Sequence, residues 1–193
     1  MTDKPKSGIT ILKVSLYSLA LCILVFFDQV TKWFVFEKML RIKEASPDFI
    51  TWLQTQTSME ETLSSLANFQ MIEVTPFLHL VAIWNSGVSF GLLNNNSMIM
   101  SLILTGFALL MSLVMIVWGM RSPKRIEQMA TLLIAAGALS NAFDRFRFKA
   151  VADFVYFNYN GYYWPAFNAA DAYITLGAGI LIVYILFTDA YKE

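Results

Sequence analysis

The sequence predicts a mostly α-helical membrane protein: four transmembrane helices, a small extracytoplasmic β-rich subdomain and an amphipathic surface helix. Three observations carry this. Of 193 residues, 57% are hydrophobic and 15% charged, less charge than soluble domains usually hold. The apolar excess falls in runs near the ~20 residues that span a bilayer. Between the runs lie segments of polar, aromatic and turn-forming residues, at 37–97 and 144–166.

The first span is expected at about 14–36, interrupted by Asp28 and Lys32. It leads into FFDQVTKWF, which has no small-residue cleavage site, so a retained signal anchor is expected rather than a cleaved signal. The second, 98–118, carries no charge. The third, 126–143, is short and has Glu127 at its start. The fourth, 167–187, has Asn168 and Asp171 in its first turns. Length is consistent with one membrane-embedded domain over 1–193.

Orientation follows from basic residues near the span ends. Lys4, Lys6 and Lys13 place the N-terminus in the cytoplasm, and Arg121, Lys124 and Arg125 place the loop between spans two and three there too. Both termini are then cytoplasmic, and 37–97 and 144–166 extracytoplasmic. Arg145, Arg147 and Lys149 run against this rule, and Arg145 is expected to pair with a neighbouring carboxylate.

Composition narrows the chemistry. Net charge is zero, so nothing points to nucleic acid. Cys22 is the single cysteine and His79 the single histidine, which leaves no intramolecular disulfide and no Cys/His metal cluster. His79 fits a strand position.

Residues 1–8 are polar, and disorder is expected there. Asp28 and Lys32 are one turn apart on one helix face and can neutralise each other. In 37–68, Ser46-Pro47-Asp48 is a helix start, followed by Phe49, Trp52, Leu53 and then Met59, Leu63, Leu66 at helical spacing. This is either an amphipathic helix on the outer leaflet or a loop helix packed on the outside domain. Residues 69–93 read as two or three strands with breaks at Pro76 and Gly87, and Asn85 and Gly87 as a turn. Asn94–Asn96 would cap span two. The segment 144–166 is an aromatic loop, suited to the membrane interface or to a lipid-bearing substrate.

The chemistry gathers between Asn141 and Asp171. Ionisable groups are costly in hydrocarbon, so Asp144, Asp153 and Asp171 near span boundaries mark a functional site. Two close carboxylates share a proton, and such a pair can hydrolyse a peptide without metal or nucleophile. Asp153 in VADFVYF is expected to be the acid, in apolar surroundings. Asp171, in the first turn after an Asn168 cap, is expected to be the base, since a helix N-terminus favours negative charge. Asp144, beside Arg145, is expected to support the site through that pairing. A proton-coupled transporter would instead spread its acids near the bilayer midplane. A non-catalytic scaffold would tolerate amides in their place.

These residues resemble the bacterial lipoprotein signal peptidases, or signal peptidase II. Asp28-Gln29-Val30-Thr31-Lys32 resembles the family's DQxTK element, and Asn85-Ser86-Gly87-Val88-Ser89-Phe90-Gly91 its NxGxxF element. The stretch from Gly137 to Arg145 is similar to GGxxGNxxDR, Val151-Ala152-Asp153-Phe154 to VxDF, and Phe167-Asn168-Ala169-Ala170-Asp171 to FNxAD. The resemblance implies a globomycin-sensitive aspartyl endopeptidase of the inner membrane. It would cut prolipoproteins before a diacylglyceryl cysteine, with no metal or organic cofactor. Asp153 and Asp171 would be catalytic. Asp28, Lys32, Asn85, Gly87, Asn141, Asp144, Arg145, Asn168 and Ala170 would shape the site. Membrane lipids are the other expected partners, and a monomer the expected state. Ser140 and Ala136 stand where the family usually has glycine, Ala152 replaces a β-branched residue, and the insert at 40–68 has no inferred role.

Overall fold

The computed structural model describes residues 11–43, 45–87 and 98–189. Expectations for residues 1–8, Asn94–Asn96 and Val88 to Gly91 lie outside the described residues.

Helix α1 spans Ile11–Trp33 and continues as a π-helix over Phe34–Leu40. Two short helices follow, α2 (Phe49–Gln54) and α3 (Met59–Ser64). Strands β1 (Ile72–Thr75) and β2 (Leu78–Asn85) precede α4 (Met98–Arg121) and α5 (Arg125–Phe148). Strands β3 (Val151–Tyr159) and β4 (Tyr162–Phe167) lead into α6 (Ala169–Asp189). Among the described residues four helices are long and apolar enough to cross a membrane, as expected.

Helix α5 is the hub, packing against α1, α4 and α6. Its interior face is small: Ala130, Ala135, Ala136, Ala138 and Ala142 are buried. Small residues let membrane helices approach closely. The approach to α6 is tightest at two glycines. A Cβ on Gly137 would lie 2.3 Å from the Ala170 carbonyl oxygen, and one on Gly177 would lie 2.6 Å from that of Ala130.

Several helix bounds differ from the expected spans. The third helix ends at Phe148, not 143, because Asp144 and Arg147 are satisfied inside the protein and do not terminate it. The first leaves α-helical geometry at Phe34, within the expected span.

The segment 144–166 is not a loop. It finishes α5 and then forms the β3–β4 hairpin, turning at Asn160 and Gly161, both at positive φ (48° and 82°). Asn-Gly suits such a turn because both residues tolerate the left-handed region. The hairpin joins β1 and β2 in an antiparallel sheet of order β1-β2-β3-β4 at one end of the bundle.

The insert forms two helices rather than one. Asp48 caps α2 through the Thr51 N–H, and Ser58 with Glu61 makes a reciprocal capping box on α3. Both helices pack on the sheet. Phe49, Trp52, Leu53 and Leu63 join a core with Phe36, Leu40, Trp84, Phe148 and Phe154. Thr62 ties α3 to the end of α5 by donating to the Phe148 carbonyl at 2.8 Å.

Candidate active site

Pairing of β2 with β3 sets Ile83 opposite Asp153 and Asn85 opposite Val151. Asn85 and Asp153 therefore share one face as diagonal neighbours. Asn85 Nδ2 donates to Asp153 Oδ2 at 3.0 Å, and its Oδ1 accepts the Gly87 N–H at 3.1 Å, the expected turn. Trp84 and Ala152 take the opposite face, in or beside the apolar core.

Asn168 caps α6 as expected. Its Oδ1 accepts the Asp171 N–H at 3.0 Å, while Asp171 Oδ2 accepts the Asn168 N–H at 3.2 Å. The Asn168 Nδ2 donates to Asp153 Oδ1 at 2.7 Å. One asparagine thus holds both carboxylates.

Asp171 is held from the other side by Asn141, whose Nδ2 donates to Oδ1 at 2.8 Å. The Asn141 oxygen faces two donors, Lys32 Nζ at 3.2 Å and Asn168 Nδ2 at 3.3 Å. An amide whose oxygen is occupied by an ammonium must present its nitrogen elsewhere, here to Asp171.

Lys32 lies 2.7 Å from both Asp28 and Asp144, with all three side chains fully buried. With Asn141, these partners use the three donors of the ammonium. Asp28 also accepts the Ala170 N–H at 2.8 Å and so reaches the first turn of α6. Asp144 accepts the Ala152 N–H at 3.3 Å, next to Asp153.

One expected pairing is corrected. Asp144 pairs with Arg147, three residues on, at 3.3 Å, not with adjacent Arg145. Adjacent residues on a helix point about 100° apart, whereas i and i+3 share a face. Arg145 instead donates from Nη2 to the Gly87 carbonyl at 3.1 Å, and its buried Nε has no hydrogen-bond partner among the described residues. Its charge acts on Asp171 and Asp153.

A cavity of about 290 Å³ opens beside this constellation, with Asn85, Gly87, Asn141, Arg145 and Asp171 among its walls. Leu104, Phe107 and Met111 of α4 make its apolar side. Burial, and then the charge of Asp171, pushes the Asp153 carboxyl well above the usual carboxylate range. A neutral acid and a neighbouring carboxylate beside a largely apolar cavity can give and take protons from a bound amide. Among the described residues no His/Cys/Asp/Glu group could hold a metal ion.

The model of the family described as "Signal peptidase (SPase) II" matches residues 20–187, which contain every residue of this constellation. The chain belongs to the signal peptidase II family. A lipoprotein signal peptidase of Methylobacterium sp. (strain 4-46) is 36% identical over 128 residues, 66% of this chain and 78% of that one. One of Aquifex aeolicus (strain VF5) is 39% identical over 118 residues, 61% of this chain and 71% of that one. Two bacterial membrane enzymes solved by the in meso method share the fold. The one at 2.3 Å resolution has a TM-score of 0.66 at 24% identity, covering 93% of both chains. The one at 1.9 Å has 0.57 at 27%, covering 90% of this chain and 94% of that one. With its four spans, this signal peptidase II family member is a peptidase and a multi-pass inner-membrane protein.

Three site-bound side chains of this family member had no expected role: Gln29, Ser140 and Arg147. Gln29 Nε2 donates to Asp144 at 2.9 Å and to Ser140 Oγ at 3.0 Å, and Ser140 donates to Asp28. Ser140 thereby adds a donor to the buried Asp28 carboxylate.

Proposed function

We propose that the chain removes signal peptides from prolipoproteins as an aspartic endopeptidase, with Asp153 and Asp171 as the catalytic pair. The observation that carries this is the Asn168 bridge, which holds the two acids together beside an open cavity. The lipoprotein signal peptidases it matches supply the substrate class.

Asp171 takes a proton from a water, and the oxygen attacks the scissile carbonyl carbon. Asp153 gives its proton to the carbonyl oxygen. Collapse of the gem-diol returns a proton to Asp153, while Asp171 delivers its proton to the departing amine. The raised position of Asp153 supports it as the acid. Asn85, Gly87, Arg145 and Asn141 shape the cavity, and Asp28, Lys32, Asp144, Asn168 and Ala170 hold the acids in place. Ion pairing of both Asp144 oxygens supports a scaffold role for it.

The cut falls before the diacylglyceryl cysteine, at the extracytoplasmic membrane surface, with both termini cytoplasmic. A monomeric domain over 1–193 works among membrane lipids. Clustering of the carboxylates at one end of the bundle favours surface hydrolysis over transport.

The test is cleavage of a diacylglyceryl prolipoprotein by the purified protein. Wild type cleaves, and folded Asp153→Asn and Asp171→Asn are inert. Near-normal turnover by either variant overturns the pair.

A further inference from the structure

Arg147 is 1% exposed and lies outside every motif that resembles the family. A buried cation is tolerated only with strong partners. Its Nη1 donates to the Trp52 carbonyl at 2.8 Å, and its Nη2 to Gln29 Oε1 at 2.6 Å and Asp144 Oδ1 at 3.3 Å. The guanidinium lies 4.3 Å from the rings of Trp52 and Phe148 and 4.5 Å from Phe143. Trp52 belongs to the insert, and is itself 3% exposed.

We propose that Arg147 is a positioning residue through which the α2 insert holds the carboxylate site in register. This rests on Asp153 and Asp171 being the catalytic pair. Three links make the connection. Arg147 occupies the Gln29 oxygen, so the Gln29 nitrogen must face Asp144 and Ser140. Asp144, held by Arg147 and Gln29, fixes the backbone of Ala152 beside Asp153 and one side of Lys32. Lys32 in turn orients Asn141 toward Asp171.

The same residue balances charge. Asp28 and Asp144 face Lys32 and Arg147, two negative against two positive. Without Arg147, two carboxylates share one ammonium, and an uncompensated negative charge remains near Asp153. Around Asp153 stand Asn85 from β2, Asn168 and Asp171 at the start of α6, Lys32 from α1 and Arg145 from α5. Lys32 and Arg145 already act on Asp144 in the wild type, so neither adds a charge when that of Arg147 is lost.

The experiment measures kcat, KM and the pH–rate profile of purified full-length wild type, Arg147→Met and Arg147→Lys, per folded molecule. Arg147→Met is expected to lower kcat about 10- to 100-fold with KM within about twofold. Its acid limb is expected to move up by at least about 0.5 pH unit, since added negative charge favours the protonated acid. Arg147→Lys keeps the charge but cannot span all three partners, so kcat falls while the limb stays in place. Wild-type kcat and limb in folded Arg147→Met would show that Arg147 serves folding alone and overturn the proposal. If Arg147→Met does not fold, Arg147→Lys decides: reduced kcat with an unmoved limb supports the proposal, and wild-type kcat overturns it. An inert wild type overturns the catalytic assignment as well; variant results alone bear only on Arg147.

Discussion

Asn168 and Asp171 cap each other: the backbone N–H of each donates to the side chain of the other, at 3.2 and 3.0 Å. A device that ordinarily starts a helix also aims a carboxylate at the cavity. Stability and chemistry can therefore be separated at Asn168. Asn168→Ala is expected to cost about 1 kcal/mol as a lost cap. It also releases Asp153 Oδ1, so kcat should fall at least about 100-fold. Thermal unfolding beside turnover of folded protein checks the two magnitudes.

Asp153 links stability to pH. Its folded carboxyl titrates above the ordinary 3.8, so between that value and the folded one the native state binds more protons than the unfolded state. Stability contributed by this group is present below the ordinary value and lost as pH rises through the folded one. Unfolding of wild type and Asp153→Asn from pH 4 to 8 is therefore expected to diverge, the variant gaining relative stability as pH rises. A constant difference would show that Asp153 is not shifted.

Lys32→Met removes the only cation 2.7 Å from both Asp28 and Asp144 among the described residues. Breaking a buried pair costs about 3–5 kcal/mol. At this chain length that lowers Tm by roughly 10 °C. Lys32→Arg is not expected to restore it, since a planar fork cannot replace three converging donors of a point charge. Thermal unfolding of both variants in detergent is the measurement.

The glycines divide into two groups. Alanine at Gly137 or Gly177 would press on the carbonyl of a packed neighbour, whereas Gly179 faces open space. Gly137→Ala and Gly177→Ala are expected to cost about 1–3 kcal/mol, and Gly179→Ala nothing or a slight gain. Ranking the three by unfolding temperature tests the helix contact.

Much of this arrangement could be read from the residues. The spans were visible because lipid demands long apolar runs, and the Asn168 cap because its spacing to Asp171 is local. The β3–β4 hairpin was obscured by its aromatic content, although Asn160-Gly161 was the available signal. The split between α2 and α3 was marked by Ser58 and Glu61, a capping box inside a segment treated as one helix. Arg147 carries no such local signal. It lies in sequence between Arg145 and Lys149, and only the folded insert brings Trp52 over it. Which arginine meets Asp144 is a matter of two residues of helical phase.

The close contacts of Gly137 and Gly177 also decide where Asp171 stands. They set α6 against α5 in a single axial position. A slide of one turn, about 5.4 Å, would drive bulkier side chains against backbone. The position of Asp171 along α5 is therefore fixed. Backbone contacts between two helices, rather than adjustable side chains, thus fix where this carboxylate stands in the bundle.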